Sequence, residues 1–254
     1  MKYTALVLAG SRPGPDHFAQ QFGNDIKALV AVAGEPMVRR PVRALLGNAY
    51  VEQVIVLSQA PERIEDVIPN SWDVAVQQSA ATIAETMLEI CNDPQTRWPL
   101  LVTTADHALL DSRTIEEFCR GAGGADVAIG VVEQRTLMQR FPDAQRTWLK
   151  FRGGAYTGAN LFALRSPSVA PVIRLWRSVE QDRKKGWRVI ALVGPLVLLG
   201  TVLRLLSIDK VLARLGRKLG VTIKAVQLSD PVAGVDVDKP VDHTLAEEIL
   251  AGRA

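Results

Sequence analysis

Apolar positions along the first half of the chain fall in short bursts, each followed by a stretch with helical spacing. Residues 3–9, "YTALVLA", form a nearly continuous apolar run, the pattern of a strand covered on both faces. Residues 51–57, 74–77, 100–104 and 127–132 repeat it. Residues 36–46, 80–91 and 114–121 instead carry apolar side chains at helical intervals, as with Ile83, Met87, Leu88 and Cys91. Pro36 is expected in the first turn of one helix, and Ser112 as the cap of another. This alternation predicts an α/β fold: a three-layer sandwich with a mostly parallel, mixed sheet of Rossmann-like type.

The pattern changes after residue 132. "TWLKFRGGAYTGANLFALR" predicts two strands around a Gly-rich turn. A charged helix at 168–185, an uncharged apolar stretch at 189–203 and a basic amphipathic helix follow. A strand at 223–228 and a helix opened by Pro240 and Asp242 close the chain. With no internal repeat and no long linker, residues 1–254 read as one domain, with a helical, basic and apolar insertion at 168–220.

Composition narrows the class. A chain of 254 residues with 48% hydrophobic and 22% charged residues is a folded globular protein. Cys91 and Cys119 lack metal-ligand spacing and fall in helical segments, so they read as buried thiols in a reducing cytoplasm. The apolar run before Gly10 is too short for a signal peptide. Net charge is only +3, yet residues 174–224 hold twelve Lys/Arg against three Asp/Glu. Such segregation fits a surface that meets phosphate or lipid, and equally a solvated helical face. Nucleic acid is not expected, because the basic segment is backed by aliphatic rather than interleaved aromatic residues.

In parallel sheets ligands sit beyond the carboxyl ends of the strands, and three such ends carry chemistry. After the first strand, Gly10 begins a loop whose backbone N–H groups suit phosphate, with Arg12 and Lys27 as cations. It is neither a Walker A loop nor a GxGxxG turn, and a purely structural turn fits the same residues. Asp106, in "LLVTTADHALLD", ends a central strand where one carboxylate and substrate phosphates would share Mg²⁺; a turn aspartate is the plainer alternative. His107 beside it reads as solvent-facing or hydrogen-bonded in place. In "GVDVDKP", Asp236 and Asp238 alternate with valines, so on a strand both carboxylates share a side and repel unless a cation lies between them. Asp238 as a helix cap is the competing explanation.

Together these pieces resemble the MobA-like NTP transferases, the molybdenum-cofactor guanylyltransferase type of nucleotidyltransferase, which have a glycosyltransferase-A-like (GT-A-like) fold. The resemblance rests on Leu8-Ala9-Gly10, Arg12, "KALVAVAGEPMVRR" from Lys27, "TTADHALL" around Asp106, "TGANLFAL" from Thr157 and "DVDKPVDH" from Asp236, in family order along nearly the whole chain. It implies a Mg²⁺-dependent enzyme. Gly10, Ser11 and Arg12 would wrap the triphosphate of an NTP, with CTP or GTP favoured and Leu8 and Ala9 also nucleotide-binding, and Lys27 would contact phosphate and stabilise charge during transfer. Asp106 and Asp238 would hold Mg²⁺, with Asp236 as the alternate ligand. Ser79, Ala80 and Ala81 would edge the base, and Lys150, Gly158 and Asn160 would face a phosphorylated acceptor. The sequence departs from the family where residues 13–24 stretch the loop and where Lys239 replaces a small hydroxyl residue.

The apolar stretch 189–203 is shorter than the roughly 20 residues that span a bilayer. The following helix places Leu205, Ile208, Val211, Leu212, Leu215 and Leu219 on one face and Lys210, Arg214, Arg217 and Lys218 towards the other. Residues 184–219 could therefore lie on the inner face of a membrane, pack on the sheet or form a homodimer interface. Two other functions fit the same residues: a GT-A-type glycosyltransferase using a nucleotide sugar, and a non-catalytic nucleotide-binding or membrane-associated protein.

Overall fold

The computed structural model describes residues 2–10, 14–180 and 205–254. Ser11, Arg12, the apolar stretch 189–203 and the cations between Arg183 and Arg204 lie outside the described residues.

Strands β1 (Tyr3–Leu8), β4 (Val51–Ser58), β5 (Val74–Gln78), β6 (Leu100–Thr104), β7 (Val127–Glu133), β8 (Leu149–Phe151), β9 (Gly154–Leu164) and β10 (Ile223–Gln227) form one sheet. Its order is β10-β7-β9-β6-β1-β4-β5, with β8 paired to β9. Pairs β1–β4, β1–β6, β4–β5 and β7–β10 are parallel; β9 runs antiparallel between β6 and β7. The sheet is therefore mixed and mostly parallel, as the sequence pattern predicts.

Two apolar cores make the outer layers. Ala5, Val7, Leu101 and Leu161 face one, with Val42 and Leu45 of α2 (Arg39–Leu45) and Ile115 and Phe118 of α5 (Ser112–Ala122). Leu6, Leu8, Leu100 and Val102 face the other, with Met87 of α4 (Ile83–Asn92) and Ile173 of α7 (Ala170–Glu180). Cys91 and Cys119 are both buried and free.

Four local expectations are corrected. The helix expected at 36–46 begins at Arg39, because Glu35–Pro36 forms a short antiparallel pair, β3, with Ala31–Val32, β2. Its turn uses Ala33 and Gly34 at φ 51° and 78°, which leaves Pro36 outside the helix. Helix α5 is capped by Asp111, whose Oδ1 accepts from Thr114 N at 2.8 Å, so Ser112 lies inside the helix. Residues 235–238 are extended but form no strand; they leave a 3-10 turn (Pro231–Gly234) and enter α9 (Pro240–Leu250). The cap of α9 is Lys239, not Asp238.

The basic helix is α8 (Ile208–Leu219), N-capped by Ser207 and ended by Gly220 in the left-handed region at φ 72°. Leu212, Leu215 and Leu219 pack against the second core, whereas Leu205, at the start of the same face, is 60% exposed. No helix among the described residues is long and apolar enough to cross a membrane. Gly216 lets α8 lie close to β10: a Cβ there would stand 2.4 Å from the Val221 carbonyl oxygen, and backbone cannot yield as a side-chain tip does. Gly216→Ala is expected to destabilise the fold by roughly 1–3 kcal/mol, read as a lowered midpoint in thermal unfolding; an unchanged midpoint would show that the helix shifts freely.

Candidate active site

Parallel pairing puts the carboxyl ends of β1, β4, β5 and β6 at one edge of the sheet. The chain runs outward from β1 to β4 and β5 on one side, while β6 lies on the other, so β1 and β6 flank the point where strand order reverses. Loops diverge there and leave a crevice. Gly10 follows β1 and Asp106 follows β6. The antiparallel β9 brings its first half, with Gly158 opposite Val131, to the same edge. The segment after β10 arrives there too, and Val237 N donates to Asp106 O at 3.0 Å.

At this edge Lys27, which opens a single 3-10 turn (Lys27–Leu29), donates to Asp106 Oδ2 at 2.6 Å and to Asp238 Oδ1. Thr104 Oγ1 donates to the other oxygen of Asp106 at 2.5 Å, and Asn160 Nδ2 approaches it at 3.5 Å. Asn160 is a non-glycine residue at φ 46°, where the β7–β9 register shifts, and this bulge turns its amide towards the acid. Asp106, Asp236 and Asp238 each offer an oxygen, all within 4.8 Å of one another. The alternation expected of residues 235–238 survives without a strand: Val235 and Val237 are fully buried, and the two acids face the cluster.

Burial opposes the charge of Lys27, but Asp106 and Asp238 outweigh it and raise its pKa above the ordinary lysine value. Burial likewise opposes the charge of Asp106, but the Lys27 ammonium and the Thr104 hydroxyl hold its carboxyl below the usual range. Asp236 differs: burial, with Asp238 and Asp106 beside it, pushes it up to about 6 although Arg146 pulls the other way. Such a set of hard oxygen donors suits a divalent cation such as Mg²⁺, whose charge would relieve the repulsion. His107 is not solvent-facing. It is 1% exposed, and burial pushes its pKa down to about 4, so it stays neutral.

Most of the residues expected to meet the nucleotide are among those described. Gly10 lies against Gln59, and a Cβ would meet the Gln59 amide at 2.9 Å. Gln59 Nε2 donates to Ala80 O at 3.1 Å, which ties the first loop to residues 79–81 at the end of β5. Ser79 is buried, and its hydroxyl has no partner among the described residues. Half of the stretched loop is ordered by its own sequence: Asp16 caps α1 (His17–Gln21), accepting from Ala19 N at 3.0 Å. Phe18 is buried, and the Phe22 ring lies 4.3 Å from His243 of α9. His243 Nε2 in turn donates to Ala31 O at 2.7 Å, so the insertion is docked on the last helix.

Of the residues expected at the acceptor side, Asn160 reaches the acids. Lys150 on β8 and Gly158 on β9 share the hairpin, and among the described residues no hydrogen bond or ion pair joins them to the acidic cluster. Thr104, Gln59, Arg146 and Asp242 belong to the surroundings of the site although sequence reasoning gave them no role there. Only Asp242 carried a usable signal, as the last acid of "DVDKPVD".

Comparison with known proteins identifies the family and the fold. The chain matches the model of the MobA-like NTP transferase domain over residues 5–195. It is 30% identical to a hypothetical transferase from Thermus thermophilus, with TM-score 0.80 over 96% of this chain and 100% of that one. It shares its fold with 4-diphosphocytidyl-2C-methyl-D-erythritol synthase from Anaerococcus prevotii, at 8% identity and TM-score 0.62 over 98% and 96% of the two chains. CMP:2-keto-3-deoxy-manno-octonic acid synthetase, solved with CTP, matches at 14% identity and TM-score 0.60 over 99% and 100%. No curated protein matches. A family match across most of the chain, on a fold whose switch point gathers Lys27, Asp106 and the paired aspartates, makes this protein a nucleotidyltransferase of the MobA-like NTP transferase family.

Proposed function

We propose that the protein transfers a nucleoside monophosphate from an NTP to a phosphorylated small molecule or lipid precursor, with release of pyrophosphate. The observation that carries this is the Lys27–Asp106–Asp238 cluster at the switch point of the sheet. Mg²⁺ bound to Asp106 and Asp238, with Asp236 beside them, would neutralise phosphate charge in the transition state. The remaining work belongs to the chain. The Gly10 backbone and the Ser11 and Arg12 side chains wrap the triphosphate. Ser79, Ala80 and Ala81 edge the base, and the unpartnered Ser79 hydroxyl supports that role. Asn160, with Lys150 and Gly158 on the same hairpin, faces the acceptor.

A phosphate oxygen of the acceptor attacks the α-phosphorus in line. The bond to the α–β bridging oxygen breaks, and pyrophosphate leaves with the electron pair. The attacking phosphate is already ionised at neutral pH, so no protein base is required. Catalysis rests on alignment and on cations placed where charge builds. CTP is the first nucleotide to assay, since the two distant structural relatives carry cytidyl chemistry in their names, with GTP beside it.

Lys27 has two tasks under this proposal. Without ligand its ammonium answers the acids; with an NTP bound it turns to the phosphates. It therefore competes with a cation for the same oxygens.

A panel of NTPs and phosphorylated acceptors with pyrophosphate detection tests the reaction. Asp106→Ala is expected to remove Mg²⁺-dependent turnover while circular dichroism stays native; near-wild-type release by that variant would contradict the assignment. Lys27→Met is expected to lose roughly 10²–10³ in turnover, yet to bind Mn²⁺ more tightly than wild type when no nucleotide is present. Weaker Mn²⁺ binding by Lys27→Met would show that the lysine does not compete for the acids.

A further inference from the structure

Arg146 lies in the irregular segment between α6 (Gln134–Arg140) and β8, with only 8% of its side chain exposed. A guanidinium buried that deeply is costly unless every face of it is answered. Its Nε has no partner among the described residues and Nη1 reaches the neighbouring Gln145 carbonyl at 3.3 Å; the other partners come from the acidic segment. Nη1 donates to Asp242 Oδ1 at 2.8 Å and stands 3.5 Å from Asp236 Oδ1. Nη2 donates to the Asp236 carbonyl at 3.4 Å.

Asp242 passes the grip on. It is 5% exposed, and its second oxygen accepts from Lys239 N at 3.0 Å and approaches Asp238 N at 3.4 Å. Arg146 thus fixes the carbonyl two residues before Asp238 directly, and the amide of Asp238 through one carboxylate. Asp238 itself is largely exposed, with 57% of its side chain accessible, and its carboxylate is bonded by Lys27. The backbone on either side of it is held by Arg146, directly at the Asp236 carbonyl and through Asp242 at the Asp238 amide.

Charge points the same way. Three carboxylates converge within 4.8 Å, and Lys27 bonds Asp106 and Asp238. Arg146 is the cation beside the third, Asp236. A lysine could supply the charge but not the planar fork that reaches a carbonyl and two carboxylates at once.

We propose that Arg146 is a positioning residue of the nucleotidyl-transfer site: it holds residues 236–242 so that Asp238 meets Asp106 at the distance a shared cation requires. It touches neither nucleotide nor acceptor and acts through the two aspartates. This rests on the function proposed above, in which those aspartates hold the metal.

The experiment is Mn²⁺ binding to the full chain, followed by electron paramagnetic resonance, for wild type, Arg146→Met, Arg146→Lys and Gly216→Ala. Groups that orient metal ligands typically alter affinity by about 10–100-fold. Arg146→Met is expected to weaken Mn²⁺ binding within that range and to raise the Mg²⁺ concentration needed for half-maximal turnover in proportion. Arg146→Lys is expected to recover part of the loss, and it serves alone if Arg146→Met fails to fold. Gly216→Ala, destabilised far from the acids, is expected to bind Mn²⁺ as wild type does. The proposal is overturned if the Arg146 variants melt earlier but keep wild-type Mn²⁺ affinity and Mg²⁺ requirement, or if Gly216→Ala loses affinity equally. A wild-type protein that binds no Mn²⁺ overturns the metal role of the aspartates, and this proposal with it. That outcome differs from the first, in which wild type and variants bind alike.

Discussion

Three carboxylates held in one place repel one another, and this edge of the sheet carries the cations that answer them. At an effective dielectric near 20, two like charges 4 Å apart cost about 4 kcal/mol. Asp106, Asp236 and Asp238 converge within 4.8 Å, so cations must be close by. Lys27 supplies one from 79 residues before Asp106 and 211 before Asp238, and Arg146 supplies another. Neither could arrive by local structure. The order of the strands brings them together, with β1 and β6 adjacent at the reversal and β9 and β10 delivering Asn160 and the paired aspartates.

The same balance links stability to function. Lys27 bonds two of the acids, and their charge keeps its ammonium protonated despite burial. Under the proposed function this ion pair joins the cation that a phosphate would attract to the oxygens that a metal would take. Binding of the two ligands together would break the pair without leaving any charge unanswered. The buried His107 next to Asp106 is held neutral, so among the described residues the acids are answered by Lys27 and Arg146.

Much of this was legible in the sequence because it rests on period and order. Alternating apolar runs gave the strands, and "LVLAG", Lys27, Asp106 and "DVDKP" stand in the order that the family requires. What stayed hidden depends on contacts across the fold. Arg146 is one of many arginines until Asp236 and Asp242 fold around it, and Thr104 reads as an ordinary strand residue until its hydroxyl meets Asp106. Pro36 has the right character for a first helical turn, yet the Ala33–Gly34 turn claims it for a strand pair. Residues 235–238 show why alternation is ambiguous: a segment pinned by Val237 to the Asp106 carbonyl buries every second side chain without itself being a strand. Within the stretched first loop, its own Asp16 cap and its aromatic rings fold half of it onto α9.

The central claim is that Lys27 and the three aspartates form a triphosphate–metal site. It is tested most directly by a crystal structure of the protein grown with Mn²⁺ and CTP or GTP, in which anomalous scattering locates the metal. A triphosphate–metal site requires an Mn²⁺ peak bounded by Asp106 and Asp238, with the Lys27 ammonium withdrawn from the acids and placed on a phosphate oxygen. Nucleotide bound elsewhere, or bound here with Lys27 still paired to Asp106 and Asp238 and no metal peak between them, would contradict it.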